Sequence, residues 1–164
     1  MRTALLVVLC STAALAQTAP PLQFRGAAPA SKHAAIETGP QTLTAAAGTK
    51  VALFVDMTPK AGVHVYAPGA KDYLPVKLTL KAQPDVKVGK LTYPKAEMVF
   101  FAPLNETVPV FDKAFRLTQD LTLAKSLKPG STVTLTGTVD FQACDDKLCF
   151  VPESVPVSWT LTVR

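Results

Sequence analysis

Val155, Val157, Trp159, Leu161 and Val163 occupy every second position near the end of the chain, opposed by Ser154, Ser158, Thr160 and Thr162. The same alternation recurs upstream. Val133, Leu135, Val139 and Phe141 share one face against Thr132, Thr134, Thr136, Thr138 and Asp140. Phe115, Leu117, Leu121 and Leu123 share one parity, as do Val76, Leu78 and Leu80, Val63, Val65 and Ala67, and Val51, Leu53, Val55 and Met57. A period of two over such lengths predicts half-buried antiparallel strands, and the abundance of Thr and Val suits a pleated surface. Turn residues punctuate the runs at Pro59-Lys60-Ala61-Gly62, Ala67-Pro68-Gly69, Gln83-Pro84-Asp85 and Lys128-Pro129-Gly130-Ser131. One short turn of helix is expected around Leu123 to Leu127. Short strands with regular turns and no internal repeat predict an all-β domain, an antiparallel β-sandwich.

The beginning of the chain breaks this pattern. Met1-Arg2, an apolar run from Ala4 to Leu9 that weakens toward Ala16, and Ala14-Leu15-Ala16 before Gln17 read as an export signal with its cleavage site, residues 1–16. The apolar run is shorter than the ~20 residues a membrane span needs, and no transmembrane segment is expected in the mature chain. Residues 17–32, rich in Ala and Pro, are expected to be a flexible lead, and residues 33–164 the domain. Removing sixteen of the 164 residues leaves 148, enough for one domain with its own core. The net charge falls from +5 to +4 with the loss of Arg2. The lysines are scattered and not interleaved with aromatics, so no nucleic-acid partner is expected.

Cys10 falls in the signal, so the mature chain keeps two cysteines, Cys144 and Cys149, in the stretch Phe141-Gln142-Ala143-Cys144-Asp145-Asp146-Lys147-Leu148-Cys149-Phe150-Val151-Pro152-Glu153. They lie between the last two predicted strands, Thr132–Ala143 and Ser154–Val163, so a hairpin brings the thiols within reach in a compartment that favours oxidation. The pair is either a structural staple or a redox centre. A staple gains little here, because a loop this short removes little chain entropy and a domain of this size has enough core without one. Asp145 and Asp146 follow Cys144 and disfavour its thiolate, whereas Lys147 lies near Cys149 and favours it, so Cys149 is the expected attacking sulfur. A zinc site would need two further ligands, and His33 and His64, the only histidines, match no ligand spacing; no metal and no cofactor are expected. Asn105-Glu106-Thr107 fits a glycosylation sequon, a pattern common by chance. Asp56, Glu97 and Asp120 read as isolated, solvated acids, and no hydrolase motif is present.

The run Phe141-Gln142-Ala143-Cys144 through Cys149-Phe150-Val151-Pro152-Glu153 resembles the active-site hairpin of the N-terminal periplasmic domain of the thiol:disulfide interchange protein DsbD family. Ala61-Gly62-Val63-His64-Val65-Tyr66-Ala67-Pro68-Gly69, followed by Leu74-Pro75-Val76-Lys77-Leu78, is similar to a strand pair of that family. Tyr93-Pro94-Lys95 to Phe100-Phe101, leading to Val108-Pro109-Val110-Phe111, is similar to the region that carries its cap loop. The likeness spans residues 33 to 164. It implies an immunoglobulin-like sandwich with the redox pair at one end, Cys149 forming the mixed disulfide and Cys144 resolving it. Phe100 or Phe101 would then shield the sulfurs as a cap, with His64 and Tyr66 lining the site. It further implies a periplasmic relay, a protein-disulfide reductase component if enzymatic. A thioredoxin-like or membrane thiol-transfer protein would supply electrons, and exported disulfide-containing proteins would accept them. The membrane segment and the Cys-x-x-Cys domain of full-length members are not seen in this sequence, so the donor is expected to be a separate protein. The alternative is a non-catalytic secreted interaction module with a structural hairpin disulfide.

Overall fold

The computed structural model describes residues 31–102 and 105–164. The expected export signal, Cys10 and all but the last two residues of the expected lead fall outside these. Twelve strands form: β1 (Ala34–Gly39), β2 (Thr42–Ala45), β3 (Lys50–Pro59), β4 (His64–Tyr66), β5 (Lys77–Leu80), β6 (Val86–Thr92), β7 (Glu97–Phe101), β8 (Glu106–Phe111), β9 (Phe115–Leu123), β10 (Thr132–Phe141), β11 (Ala143–Cys144) and β12 (Glu153–Val163). No α-helix occurs among the described residues; the segment after Leu123 makes a turn, with Leu127 N donating to Ala124 O, where a helical turn was expected.

Two four-stranded sheets, β1-β3-β9-β6 and β2-β12-β10-β5, form the sandwich, and a third, β11-β4-β8-β7, stands at one end. The alternation read from the sequence decides which side chains face inward. In β12 Val155, Val157, Trp159, Leu161 and Val163 are all buried, and in β9 Phe115, Leu117, Leu121 and Leu123 are buried against them. Each such side chain contributes roughly 1.5–3 kcal/mol by leaving water. The β10–β12 pairing runs in continuous antiparallel register from Thr132↔Thr162 to Phe141↔Glu153. One pairing departs from the antiparallel expectation: β2 runs parallel to β12, Thr42↔Thr160 to Ala45↔Val163. The result is an immunoglobulin-like β-sandwich.

Two acids read as solvated have partners instead. Arg116 donates from Nε and Nη2 to the two carboxylate oxygens of Asp56, at 2.6 and 2.7 Å. Lys113 Nζ reaches Glu97 Oε1 at 2.7 Å. The first pair joins facing positions of β3 and β9 and the second ties β7 to the connection between β8 and β9, neighbours that the period alone could not place side by side.

The third sheet is what positions the site. Val65 of β4 and Ala67 just after the strand face the main core, while Tyr66, on the opposite face, is buried in a second cluster with Val108, Val110 and Cys144. A strand buried on both faces breaks the simple inside–outside parity.

Candidate redox site around Cys144 and Cys149

Strand β10 does not run on into the first cysteine, as the sequence pattern suggested. It ends at Phe141, and Gln142 carries the chain from one sheet to another, so that Ala143 and Cys144 pair with Val65 and His64 of β4. Gln142 fastens this crossing. Its N–H donates to Leu74 O at 3.2 Å and its side-chain Oε1 accepts from Leu74 N at 3.4 Å. Its Nε2 donates to Phe150 O at 3.3 Å, on the far side of the hairpin.

Asp145 closes the turn that follows. Asp145 N donates to Leu148 O at 3.0 Å, while Asp145 Oδ1 accepts from the N–H groups of Lys147 and Leu148 at 2.8 and 2.9 Å. Such side-chain-to-backbone bonds are why Asp initiates turns. The same two backbone donors hold the Asp145 carboxyl below its ordinary value. Cys149 then lies opposite Cys144 as an isolated bridge, and Phe150 N donates to Ala143 O at 2.8 Å. The two cysteines form a disulfide with Cα atoms 4.0 Å apart.

The two sulfur-bearing residues sit in different surroundings. Cys144 is 2% exposed and held in the β11–β4 ladder, whereas Cys149 is exposed at the end of the turn. Exchange requires an incoming thiolate or disulfide to reach a sulfur, and only Cys149 offers that access. The base of the hairpin is anchored from outside. Phe150 stacks on the His33 ring with centroids 3.9 Å apart, and His33 Nδ1 lies 2.6 Å from Glu153 Oε1. Glu153 also accepts from Lys32 N at 2.8 Å. Although burial works against it, this set of hydrogen bonds and the His33 charge holds the Glu153 carboxyl below its ordinary value.

A cleft of about 290 Å³ opens over the disulfide, lined by His64, Tyr66, Tyr73, Phe101 and the turn from Asp145 to Leu148. The Tyr66 hydroxyl is 3.3 Å from Cys144 Sγ and 3.5 Å from Cys149 Sγ. Burial, with the neighbouring Tyr73 adding to it, pushes Tyr66 up to about 12, so the hydroxyl stays protonated at neutral pH. His64 meets the Tyr66 ring edge-on, with centroids 5.5 Å apart. Burial pushes its imidazole down; the carboxylates of Asp146, Asp112 and Asp145 oppose that. Of the two phenylalanines expected as caps, Phe101 lines the cleft. Phe100 does not: one residue earlier in β7, it points to the opposite face and is 60% exposed.

Sequence reasoning missed Tyr73 and Glu106. Tyr73 stacks on Tyr66, centroids 4.1 Å apart, and its hydroxyl donates to Glu106 Oε2 at 3.0 Å. No periodicity marks them, because Tyr73 lies in an irregular connection and Glu106 at the first position of β8. Among the described residues no group of His, Cys, Asp and Glu is placed to hold a metal ion. No helix there is long and apolar enough to cross a membrane.

The fold and site are those of a β-sandwich domain that carries an accessible disulfide on an end hairpin. Residues 34–158 match the family described as "Thiol:disulfide interchange protein DsbD, N-terminal", and the chain belongs to that family. Among solved structures it is similar to the N-terminal periplasmic domain of ScsB from Proteus mirabilis, with a TM-score of 0.52 and 12% identity. The match covers 81% of this chain and 47% of that one, so this chain spans about half the length of its structural relative. A family 123 glycoside hydrolase from Clostridium perfringens is similar at a TM-score of 0.42 and 12% identity, over 80% of this chain and 27% of that one. At that level it carries no functional argument. No curated protein sequence matches the chain.

Proposed function

We propose that the chain is an exported, periplasmic thiol–disulfide exchange domain that passes reducing equivalents through Cys149 and Cys144. The observation that carries this reading is the asymmetry of the pair: one sulfur exposed at a turn, the other buried in a ladder. In the reducing direction, a thiolate of a thioredoxin-like or membrane thiol-transfer donor opens the disulfide. The donor leaves oxidised, and both cysteines are then reduced. The Cys149 thiolate attacks a disulfide of an exported protein, one acceptor sulfur leaves as thiolate, and a mixed disulfide to Cys149 remains. Cys144 attacks Cys149 Sγ, the second acceptor sulfur leaves, and the Cys144–Cys149 bond is restored. The export signal in residues 1–16 and the family's periplasmic setting support this location. Phe101, His64 and Tyr66 act as walls that limit which thiols reach the sulfurs.

The test is trapping together with the reduction potential. Cys144→Ser, which keeps the exposed thiol, should accumulate mixed disulfides with periplasmic proteins, and Cys149→Ser should accumulate none. Equilibration of the mature domain with glutathione should place the pair near or above about −230 mV, in the range of exchange proteins. Equal trapping by both variants, or a potential below about −300 mV, would overturn the reading and leave a structural bridge.

A further inference from the structure

The two arms of the cysteine hairpin are held in different ways. Cys144 pairs with His64 of β4, whereas after the isolated bridge at Cys149 the chain enters no strand until Glu153 opens β12. Leu148 and Val151 on this arm are exposed, and Phe150 packs against the core. Where Cys149 sits relative to its partner sulfur therefore depends on what holds Phe150, the next residue.

Phe150 is held at three points. Its N–H donates to Ala143 O at 2.8 Å, its C=O accepts from Gln142 Nε2 at 3.3 Å, and its ring lies on the His33 imidazole, 3.9 Å between centroids at 16°. The first two contacts come from the opposite arm of the same hairpin and can move with it. The third comes from a different sheet. His33 directly precedes β1, and its backbone is fixed there: its N–H donates to Ser31 Oγ at 3.3 Å, and its C=O accepts from Lys60 N at 2.9 Å, just past the end of β3. The edge of the ring is held as well. A carboxylate only accepts, so His33 Nδ1 carries the proton that bonds Glu153 Oε1 at 2.6 Å. Glu153 is placed in turn by its pairing with Phe141 and by Lys32 N at 2.8 Å. The His33 ring is thus mounted on the first sheet, braced at its edge, and laid flat on the residue next to the accessible sulfur.

Resting on the exchange reading above, we propose that His33 is a positioning residue for the redox pair: stacked on Phe150 and braced by Glu153, it keeps Cys149 facing Cys144 in the reduced domain and so sets how readily the disulfide re-forms. When glutathione disulfide oxidises the domain, the two cysteine thiols give up two electrons and two protons, the Cys144–Cys149 bond forms, and two glutathione thiols are released. In the oxidised domain that bond itself keeps Cys149 in place. In the reduced domain the turn bonds of Asp145 and the contacts on Phe150 must do so, and a Cys149 set free has to be ordered again before the bond closes. Removing the brace therefore loosens the reduced form and leaves the oxidised form in place. The balance shifts toward the dithiol, and the pair becomes a stronger oxidant. His33 acts through Phe150 and not on the sulfurs.

The purified mature protein, equilibrated with mixtures of reduced and oxidised glutathione and trapped with a maleimide, gives the equilibrium constant for disulfide formation. An aromatic pair contributes roughly two- to tenfold to such a constant. His33→Ala should lower it about fivefold, which raises the potential by ~20 mV at about 30 mV per tenfold. His33→Phe, which keeps a flat ring on Phe150, should recover most of that loss. In a Phe150→Leu background His33→Ala should have little further effect, because the two residues act as one unit. A side chain that serves packing alone would lower the stability of both redox forms equally and leave the constant as it was. An unchanged constant in His33→Ala therefore overturns the proposal, and so does a full loss from His33→Ala in the Phe150→Leu background. If His33→Ala fails to fold, His33→Leu, which keeps bulk but lacks the flat ring and the bond to Glu153, carries the same expectation. The ratio of variant to wild type does not depend on the absolute potential. Should glutathione fail to open the wild-type pair, the exchange reading falls, and mixtures of reduced and oxidised dithiothreitol still measure the ratio that decides the role of His33.

Discussion

Reducing the disulfide should cost the fold little, and the cost follows from the length of the loop it closes. The cysteines are five positions apart. The chain-entropy relation for a loop of about five residues gives ~2 kcal/mol at 25 °C as the constraint that the bond places on the unfolded chain. In the folded chain the turn is held by bonds that do not depend on sulfur: Asp145 N to Leu148 O, Phe150 N to Ala143 O, and the two backbone donors on Asp145 Oδ1. Cys144 is also held by the β11–β4 ladder. The oxidised domain should therefore exceed the reduced one by about 2 kcal/mol, or ~6–10 °C in Tm for a domain of this size. By the closed thermodynamic cycle the folded protein stabilises the disulfide by the same amount. The reduction potential of the folded pair should then lie only ~45 mV below that of the unfolded chain, since about 30 mV corresponds to 1.4 kcal/mol for two electrons. Urea unfolding of both forms gives one side of the cycle, and glutathione titration of native and urea-denatured protein gives the other. A stability gap above about 4 kcal/mol would refute the reasoning, because the hairpin would then depend on its bond. A reduced form more stable than the oxidised one would refute it in the opposite sense.

Other positions give independent expectations. Arg116 lowers the Asp56 carboxyl from its ordinary 3.8, and both side chains are more than a third exposed, so screening limits the pair to at most about 1 kcal/mol. That contribution is fully present above 3.8 and is lost as pH falls through the lowered native value; Asp56→Asn should therefore cost less than ~1 kcal/mol in melts at pH 7, with the gap closing in acid. A Cβ at Gly137 would fall on the Thr79 carbonyl oxygen and 2.9 Å from Leu80 Cδ2, so Gly137→Ala should force β10 from β5 at ~1–3 kcal/mol, read by urea unfolding and by faster amide exchange in Lys77–Leu80. Trp159 is buried with no hydrogen-bond partner for its Nε1 among the described residues, so Trp159→Phe should destabilise less than the ~3–5 kcal/mol expected of Trp159→Ala, because it also removes an unpaired donor.

The long strands were legible because one face of each meets the core and the other meets water, as the burial of Val155 through Val163 at alternate positions shows. The cysteine hairpin was legible because it lies between two such strands. What lay beyond reading depends on which strands meet. β6 is mostly exposed and carries a register shift between Val88 and Leu91, so its pattern says little about pairing. The parallel pairing of β2 with β12 leaves no local trace. Tyr66 was expected at the site from the resemblance alone; its alternation in β4 does not show that the third sheet covers its face and sets its hydroxyl beside the sulfurs. Tyr73 and Glu106, 33 positions apart, meet at 3.0 Å across a separation that no local pattern announces.

The direction of β12 also sets where a handle can be attached. The strand leaves the disulfide end at Glu153 and runs eleven residues to Val163, roughly 35 Å at about 3.3 Å per residue. Lys32, bonded to Glu153, holds the other end of the described chain beside the hairpin. A dye, affinity label or surface linkage joined at Arg164 would therefore sit at the far pole and leave the sulfurs open. The same group joined at Ser31 would sit at the pole that carries the hairpin.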